Sequence, residues 1–174
     1  LGLGALAFSF LDEAEARTWS RIYYDIIKSD ACVPLGHRVN ANIAMVSAFS
    51  LHQDKAEAVR RGQEGFEFFR YAISALVTND TVPGRSRLWE EFQELRRAGA
   101  LAATYEGTKD LSSAFQASPG SGTPEEFRRH VHSYEAAGVD QIILLQQAGR
   151  NAHGHICDSL ELFARDVLPE FKAK

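Results

Sequence analysis

Gly149, Arg150 and Asn151 form a short polar segment between two apolar stretches near the end of this 174-residue sequence. A guanidinium group at such a point can bind a phosphate, a polar substrate group or a developing negative charge. Gln147, two residues before Gly149, adds another polar side chain. The plain alternative for Arg150 is a pair with Asp158 or exposure to solvent, as is common for arginines in loops.

The apolar stretches on either side indicate which elements carry this bend. Apolar residues between 139 and 145 form a segment shorter than a usual helix, which favours a strand buried on both faces. A strand that enters a helix through a tight bend is half of a βαβ unit, and ligands bind at the carboxyl ends of such strands. After the bend, apolar residues at intervals of three and four predict an amphipathic helix that Pro169 ends, and these are Ile156, Leu160, Phe163, Ala164 and Val167.

The same alternation of strand and helix occurs three more times. Apolar segments at 4–10 and 39–49 are each followed by a helical pattern. Another helix starts after Thr123, with Pro124 in its first position and a glutamate that completes a capping box. The sequence therefore predicts four βα units, the third with only a stub of a strand, and a weakly patterned insertion at about 78–121.

Four parallel strands joined by helices permit two architectures, a small open doubly wound sheet or half of an eight-stranded barrel. In parallel βα units every strand-to-helix bend lies on one rim. The residues at the carboxyl ends of the first two strands are therefore further candidate ligand contacts, namely Phe8 and Ser9 for the first and Ser47 and Phe49 for the second. The plain alternatives are core packing for the two phenylalanines and hydrogen bonds to backbone for the two serines.

Composition limits the class of protein. A content of 45% apolar residues allows one core of ordinary size, and a net charge of −4 gives no electrostatic reason to expect nucleic acid. No apolar run approaches the roughly 20 residues that span a bilayer, and the first residues lack the features of a signal peptide. Cys32 and Cys157 are far apart, which favours free thiols in a cytoplasmic protein. Because a strand-like run follows Leu1 at once, we expect a piece of a longer polypeptide.

His153, His155 and Cys157 are residue types that bind zinc. On a helix, however, two residues that are two positions apart point about 200° away from each other. Because the helical pattern begins at these residues, we predict no metal site here.

A set of short motifs spans nearly the whole chain in a fixed order. They are GHRVN at 36–40, GTPEE at 122–126, YEAAGVDQ at 134–141, QAGRN at 147–151 with His153, SLELFA at 159–164 and LPEF at 168–171. Together they resemble the carboxyl-terminal part of the bacterial luciferase-like, flavin-dependent monooxygenases. The resemblance implies an α/β fold of the (β/α)8 TIM-barrel family, with residues 1–174 as its carboxyl-terminal half, strands five to eight, and the amino-terminal half absent.

The resemblance also implies an activity. The expected protein is a monooxygenase that uses reduced FMN and dioxygen to oxidise an aldehyde or another small organic substrate. A separate flavin reductase would supply the reduced FMN. A variant within the same family is an oxidoreductase that uses a deazaflavin in place of FMN. We expect a cytoplasmic homo- or hetero-dimer that binds neither nucleic acid nor membrane. No catalytic residue is identified, and the expected cofactor contacts are Phe8, Ser9, Ser47, Gln147, Gly149, Arg150 and Asn151.

Two other functions stay open. The chain is alternatively a non-catalytic half-barrel that pairs its open sheet edges with another chain. A barrel-type metal hydrolase is a more distant alternative, because the sequence offers no convincing set of ligands.

Overall fold

The computed structural model describes residues 1–7, 12–78, 87–101 and 120–171. Phe8, Ser9 and most of the predicted insertion lie outside these ranges. The described strands are β1 (Ala5–Ala7), β2 (Ile43–Ala48), β3 (Ser50–Leu51), β4 (Ser121–Gly122) and β5 (Gln141–Leu145). The described helices are α1 (Glu13–Ile27), α2 (Lys55–Ile73, continued by a π-helical turn at Ser74–Thr78), α3 (Leu88–Arg97), α4 (Pro124–Ala136), α5 (His153–Asp166) and α6 (Leu168–Phe171).

The main sheet has the order β1-β2-β5, and all its strands are parallel. Strand β3 continues β2 after one residue and pairs in parallel with β4. In the described residues, β1, β2 with β3, β4 and β5 are each followed by a helix, and β4 has only two residues. Strand β2 pairs directly with β5 from Ala44 to Ala48, whereas β4 pairs only with β3. This differs from the expected row of four neighbouring strands.

Capping side chains define where the helices begin. Thr123 and Glu126 form the predicted capping box at the start of α4. Asp12 caps α1 in the same way, and Asp54 accepts a hydrogen bond from the first turn of α2. Each cap satisfies backbone N–H groups that have no partner within the helix. Local sequence thus determines these helix starts. In the described parts of the chain, no helix is both long and apolar enough to cross a bilayer.

One face of the sheet packs against α1 and α4. Ala7, Ile43 and Met45 are buried against Ala16 of α1 and Tyr134 of α4. These strand residues share a face because side chains alternate along a strand. The two helices therefore form a layer over this face of the sheet.

Aromatic residues join the ends of the strands to the later helices. Phe49, which lies between β2 and β3, contacts Phe127 of α4 edge to face at a centroid distance of 5.3 Å. It is buried in a cluster with Leu51, Leu162 and Val167. Phe49 is therefore a core residue, which was the plain alternative to a ligand contact.

Two sequence expectations about burial are wrong. Strand β5 was expected to be buried on both faces, but Ile143 is 38% exposed, because β5 is the last strand of the sheet. On α5, Leu160 is 41% exposed whereas Ser159 is buried. The Ser159 hydroxyl bonds both backbone groups of Leu51, at 3.1 and 3.0 Å, so a polar residue occupies the inner face.

Candidate functional site

The bend between β5 and α5 is a defined turn. Gly149 has φ +55°, a left-handed conformation that glycine adopts without steric cost. A Cβ atom at this position would lie 2.8 Å from Cζ3 of Trp89. The Asn151 amide side chain donates a hydrogen bond to the Gln146 carbonyl over 2.9 Å. Glycine is thus required both by the backbone angle and by the close approach of the indole.

Helix α2 supports the bend from one side. A Cβ atom at Gly65 would lie 2.5 Å from the Ala148 carbonyl oxygen and would also overlap the Asn151 side-chain oxygen. The sequence signal for this contact was a glycine within a helical pattern, which weakens the helix and indicates close packing. The position of the bend therefore depends on a helix that is distant in sequence.

Arg150 is exposed, and its guanidinium carbon lies 5.0 Å from the centroid of the Trp89 ring. Asp158, its alternative partner, bonds Arg61 instead, at 2.8 Å. No salt bridge of Arg150 is found among the described residues. Nothing in the sequence indicated that Trp89 contacts Arg150, because Trp89 lies beside apolar residues in the same helix, Leu88 and Phe92. Arg150 thus presents a planar cation beside an aromatic face.

The first turn of α5 lies next to Arg150. Ala152 occupies the N-cap position and makes no side-chain hydrogen bond to the helix, and the first turn carries no acidic residue. The initial N–H groups of a helix lack intrahelical partners and carry partial positive charge. Together with the Arg150 guanidinium, they make this corner of the fold locally electropositive. Its chemistry suits an anionic group.

Ser47 points away from this corner. It is 4% exposed, and its hydroxyl donates to the Ala48 carbonyl over 2.9 Å. The same oxygen lies 2.9 Å from Nε2 of His130 in α4. Because the Ser47 proton is already used, the neutral imidazole donates from Nε2. Burial lowers the pKa of His130 to about 4, which keeps the ring neutral.

The structure thus brings together part of the predicted site. Gln147 is exposed, and Gly149, Arg150 and Asn151 form the bend. Ser47 is directed into the helix layer because strand alternation places it on the same face as Met45. Phe8 and Ser9 lie outside the described residues.

The histidines around the bend do not form a metal cluster. In the residues that the structure describes, no group of three or more His, Cys, Asp or Glu side chains is placed to hold a metal ion. His153 and Cys157 approach each other at 3.5 Å between Nε2 and Sγ, one helical turn apart.

No protein-family model and no curated protein matches the sequence. Solved structures do match. The monooxygenase RslO1 from Streptomyces bottropensis aligns with 98% of this chain and 42% of its own, with a TM-score of 0.56 and 18% identity. The coenzyme F420 dependent tetrahydromethanopterin reductase from Methanopyrus kandleri aligns with 97% of this chain and 45% of its own, with a TM-score of 0.54 and 15% identity.

This chain has the fold of part of those proteins. It spans less than half of the length of either one. At 15–18% identity the likeness establishes the α/β fold with its parallel strands and gives no residue-level assignment.

Proposed function

We propose that this chain is part of a flavin- or deazaflavin-dependent oxidoreductase of the luciferase-like class. The observation that carries the proposal is the alignment of nearly the whole chain with two redox enzymes, a monooxygenase and a coenzyme F420 dependent reductase. The order of the short motifs along the sequence supports the same class. The four candidate contacts Gln147, Gly149, Arg150 and Asn151 lie at the rim where βα folds bind ligands.

The bend has a donor set that fits the phosphate of such a cofactor. The Arg150 guanidinium would pair with the phosphate, and the free N–H groups at the start of α5 would add hydrogen bonds. Gly149 and Asn151 would hold these donors in place through the turn. Trp89 would restrict the rotation of the arginine and shield it from water on one side.

Reduced FMN, when bound, would supply electrons for the reaction of dioxygen with an aldehyde or another small organic substrate. A deazaflavin would transfer hydride instead. Arg150 and the first N–H groups of α5 could bind the phosphate of either cofactor. In the FMN case, a separate reductase would supply the reduced flavin. We also propose a cytoplasmic, dimeric protein without nucleic-acid or membrane partners.

A second candidate function is favoured by the sheet edges. Strands β1 and β5 occupy the outer positions of the main sheet, and each borders a groove of about 340 Å³, apolar beside β1 and partly polar beside β5. Trp19 and Ile22 line the groove beside β1, and Phe163 and Phe171 line the groove beside β5. A half-barrel that pairs with another chain through these edges would need no cofactor.

Titration of the chain with reduced FMN, oxidised FMN and reduced coenzyme F420 under anaerobic conditions tests the proposal. We expect weak but saturable binding of a reduced cofactor, because the chain covers under half of the enzymes that it resembles. The preferred cofactor identifies the subclass. Absence of binding at millimolar cofactor would contradict the redox function and favour the half-barrel. Tight binding by a stable monomer would instead contradict the idea that the pocket is incomplete.

A further inference from the structure

The residue that follows β5, Gln146, holds a buried side-chain oxygen. Its Oε1 atom is shielded from solvent and accepts no hydrogen bond in the described structure. A buried acceptor without a partner destabilises a fold, and nearly all such atoms in native proteins are satisfied by protein or by ordered water. The surroundings of Gln146 therefore need a hydrogen-bond donor.

Gln146 lines a small cavity between α2, β3 and α5. The space that the centre of a water molecule can occupy in this cavity is about 10 Å³. This is close to the space that a single ordered water requires. Arg61, Asn151, His155 and Ser159 also line it, so the wall carries several polar groups. A cavity of this size and polarity suits one small neutral molecule.

The polar side chains around this cavity direct hydrogen bonds to other acceptors. Arg61 bonds Glu57 and Asp158 at 2.7 and 2.8 Å. The Asn151 amide donates to the backbone carbonyl of Gln146, and Ser159 donates to Leu51. None of these three side chains donates to Oε1.

His155 differs from the other polar residues of the cavity wall. Its ring makes no hydrogen bond within the described parts of the chain, although the residue is half-buried in the first turn of α5. An imidazole nitrogen can either donate to or accept from a water, depending on the tautomer. It is thus a suitable second partner for a molecule that donates to Gln146.

We propose that one ordered water binds in this cavity, donates to Oε1 of Gln146 and bonds the ring of His155. This water ties the end of β5 to the first turn of α5, across the bend that carries Arg150. The direct bond between Asn151 and the Gln146 carbonyl holds the same bend from the other side. The site is independent of the proposed redox activity.

Crystal structures of the wild-type chain and of two variants test this site. Gln146→Met keeps the length of the side chain and removes its polar atoms. Gln141→Met makes the same substitution at the exposed start of β5 and is the matched control. We expect a water at about 2.6–3.2 Å from Oε1 in the wild type and in the control, and none in Gln146→Met. Amide exchange of Ile156, whose N–H donates to the Ala152 carbonyl over 3.2 Å, should accelerate in Gln146→Met alone.

The wild-type map decides the matter even if Gln146→Met fails to fold. A map with ordered water elsewhere and none beside Gln146, or with a protein donor on Oε1, would overturn the proposal. A water that persists in Gln146→Met would show that Gln146 does not bind it, with the same consequence.

Discussion

The exposed Arg150 lies beside the partly buried Trp89 in the candidate site, with its guanidinium carbon 5.0 Å from the centroid of the indole ring. We expect Arg150→Ala to weaken the use of cofactor or substrate by about 1–3 kcal/mol, the cost of a lost charge-assisted hydrogen bond. Arg150→Lys should recover part of this, since it keeps the charge but not the planar donor geometry. Steady-state kinetics beside a thermal melt would separate function from stability.

Arg129→Ala is the control for the Arg150 variants, because Arg129 pairs with Glu125 on the surface of α4, at 2.9 Å. It should leave kinetics and melting temperature nearly unchanged. If Arg150→Ala lowers stability as much as activity, the bend is a structural turn and the site assignment fails.

His130 makes stability depend on pH, because burial lowers its pKa from 6.5 to about 4. Between these values the unfolded chain binds more protons than the folded one, so stability falls as pH drops from about 6.5 towards 4. The total effect should be at most about 3 kcal/mol. Urea unfolding of His130→Gln across this range should give a flatter profile than the wild type. An unchanged slope would show that His130 is not the group responsible.

His132 lies two residues further on and should behave in the opposite way. The hydrogen bond between its ring and Glu170 raises the pKa of His132 above its ordinary value, and the hydrogen bond to Glu135 has a smaller effect in the same direction. Its contribution is fully present below the unfolded pKa of about 6.5 and is lost as pH rises through the folded pKa. In the same urea series, His132→Gln should therefore lower stability below about pH 6.5 and remove the fall in stability as pH rises above that value. The reverse pattern would contradict both assignments.

At the scale of the elements, the contact between α2 and the bend is the one most open to test. An alanine within a helix usually stabilises it by up to about 1 kcal/mol relative to glycine. At Gly65 the added Cβ atom would lie 2.5 Å from the carbonyl oxygen of Ala148. This oxygen is a backbone atom, so it cannot turn away as the end of a flexible side chain could. We expect Gly65→Ala to destabilise the fold by about 1–3 kcal/mol and to shift the bend.

Gly154→Ala provides the comparison for this variant. Gly154 lies in α5, and a Cβ atom there would have no neighbour within 4 Å. Denaturant unfolding should show a small gain in stability for Gly154→Ala and a loss for Gly65→Ala. Equal gains in both would mean that α2 yields easily and does not position the bend.

At the scale of the whole molecule, the two outer strands are the notable feature. Leu6 of β1 is 53% exposed beside the apolar groove of that edge. Unprotected strand edges with apolar surroundings promote association. We expect the isolated chain to self-associate with rising concentration, in keeping with the predicted dimer, and Leu6→Lys to reduce this association. Light scattering coupled to size-exclusion chromatography measures the mass.

The control for the edge is Leu160→Lys, a charge placed on an exposed leucine of α5 outside both edge grooves. It should leave the association unchanged while circular dichroism reports a folded chain for both variants. A monomer at all concentrations, or equal effects of the two lysines, would argue against association through the β1 edge.

The sequence by itself determined the features that depend on residues three or four positions apart. The capping box at Thr123, the alternation of strands and helices, and the polar turn at 149–151 all follow from local hydrogen bonds and periodicity. These interactions form within one element, so their signals are contiguous in the chain. The parallel arrangement also follows, because a helix between two strands returns the chain to the same end.

Only the tertiary structure decided which distant residues meet. Trp89 against Arg150, Ser47 against His130, and Gly65 against the bend each join elements that are far apart in the chain. Several aromatic, serine and glycine residues could have filled these positions equally well by type. Close packing selects among them, because a side chain fits where the facing surfaces leave space of its shape.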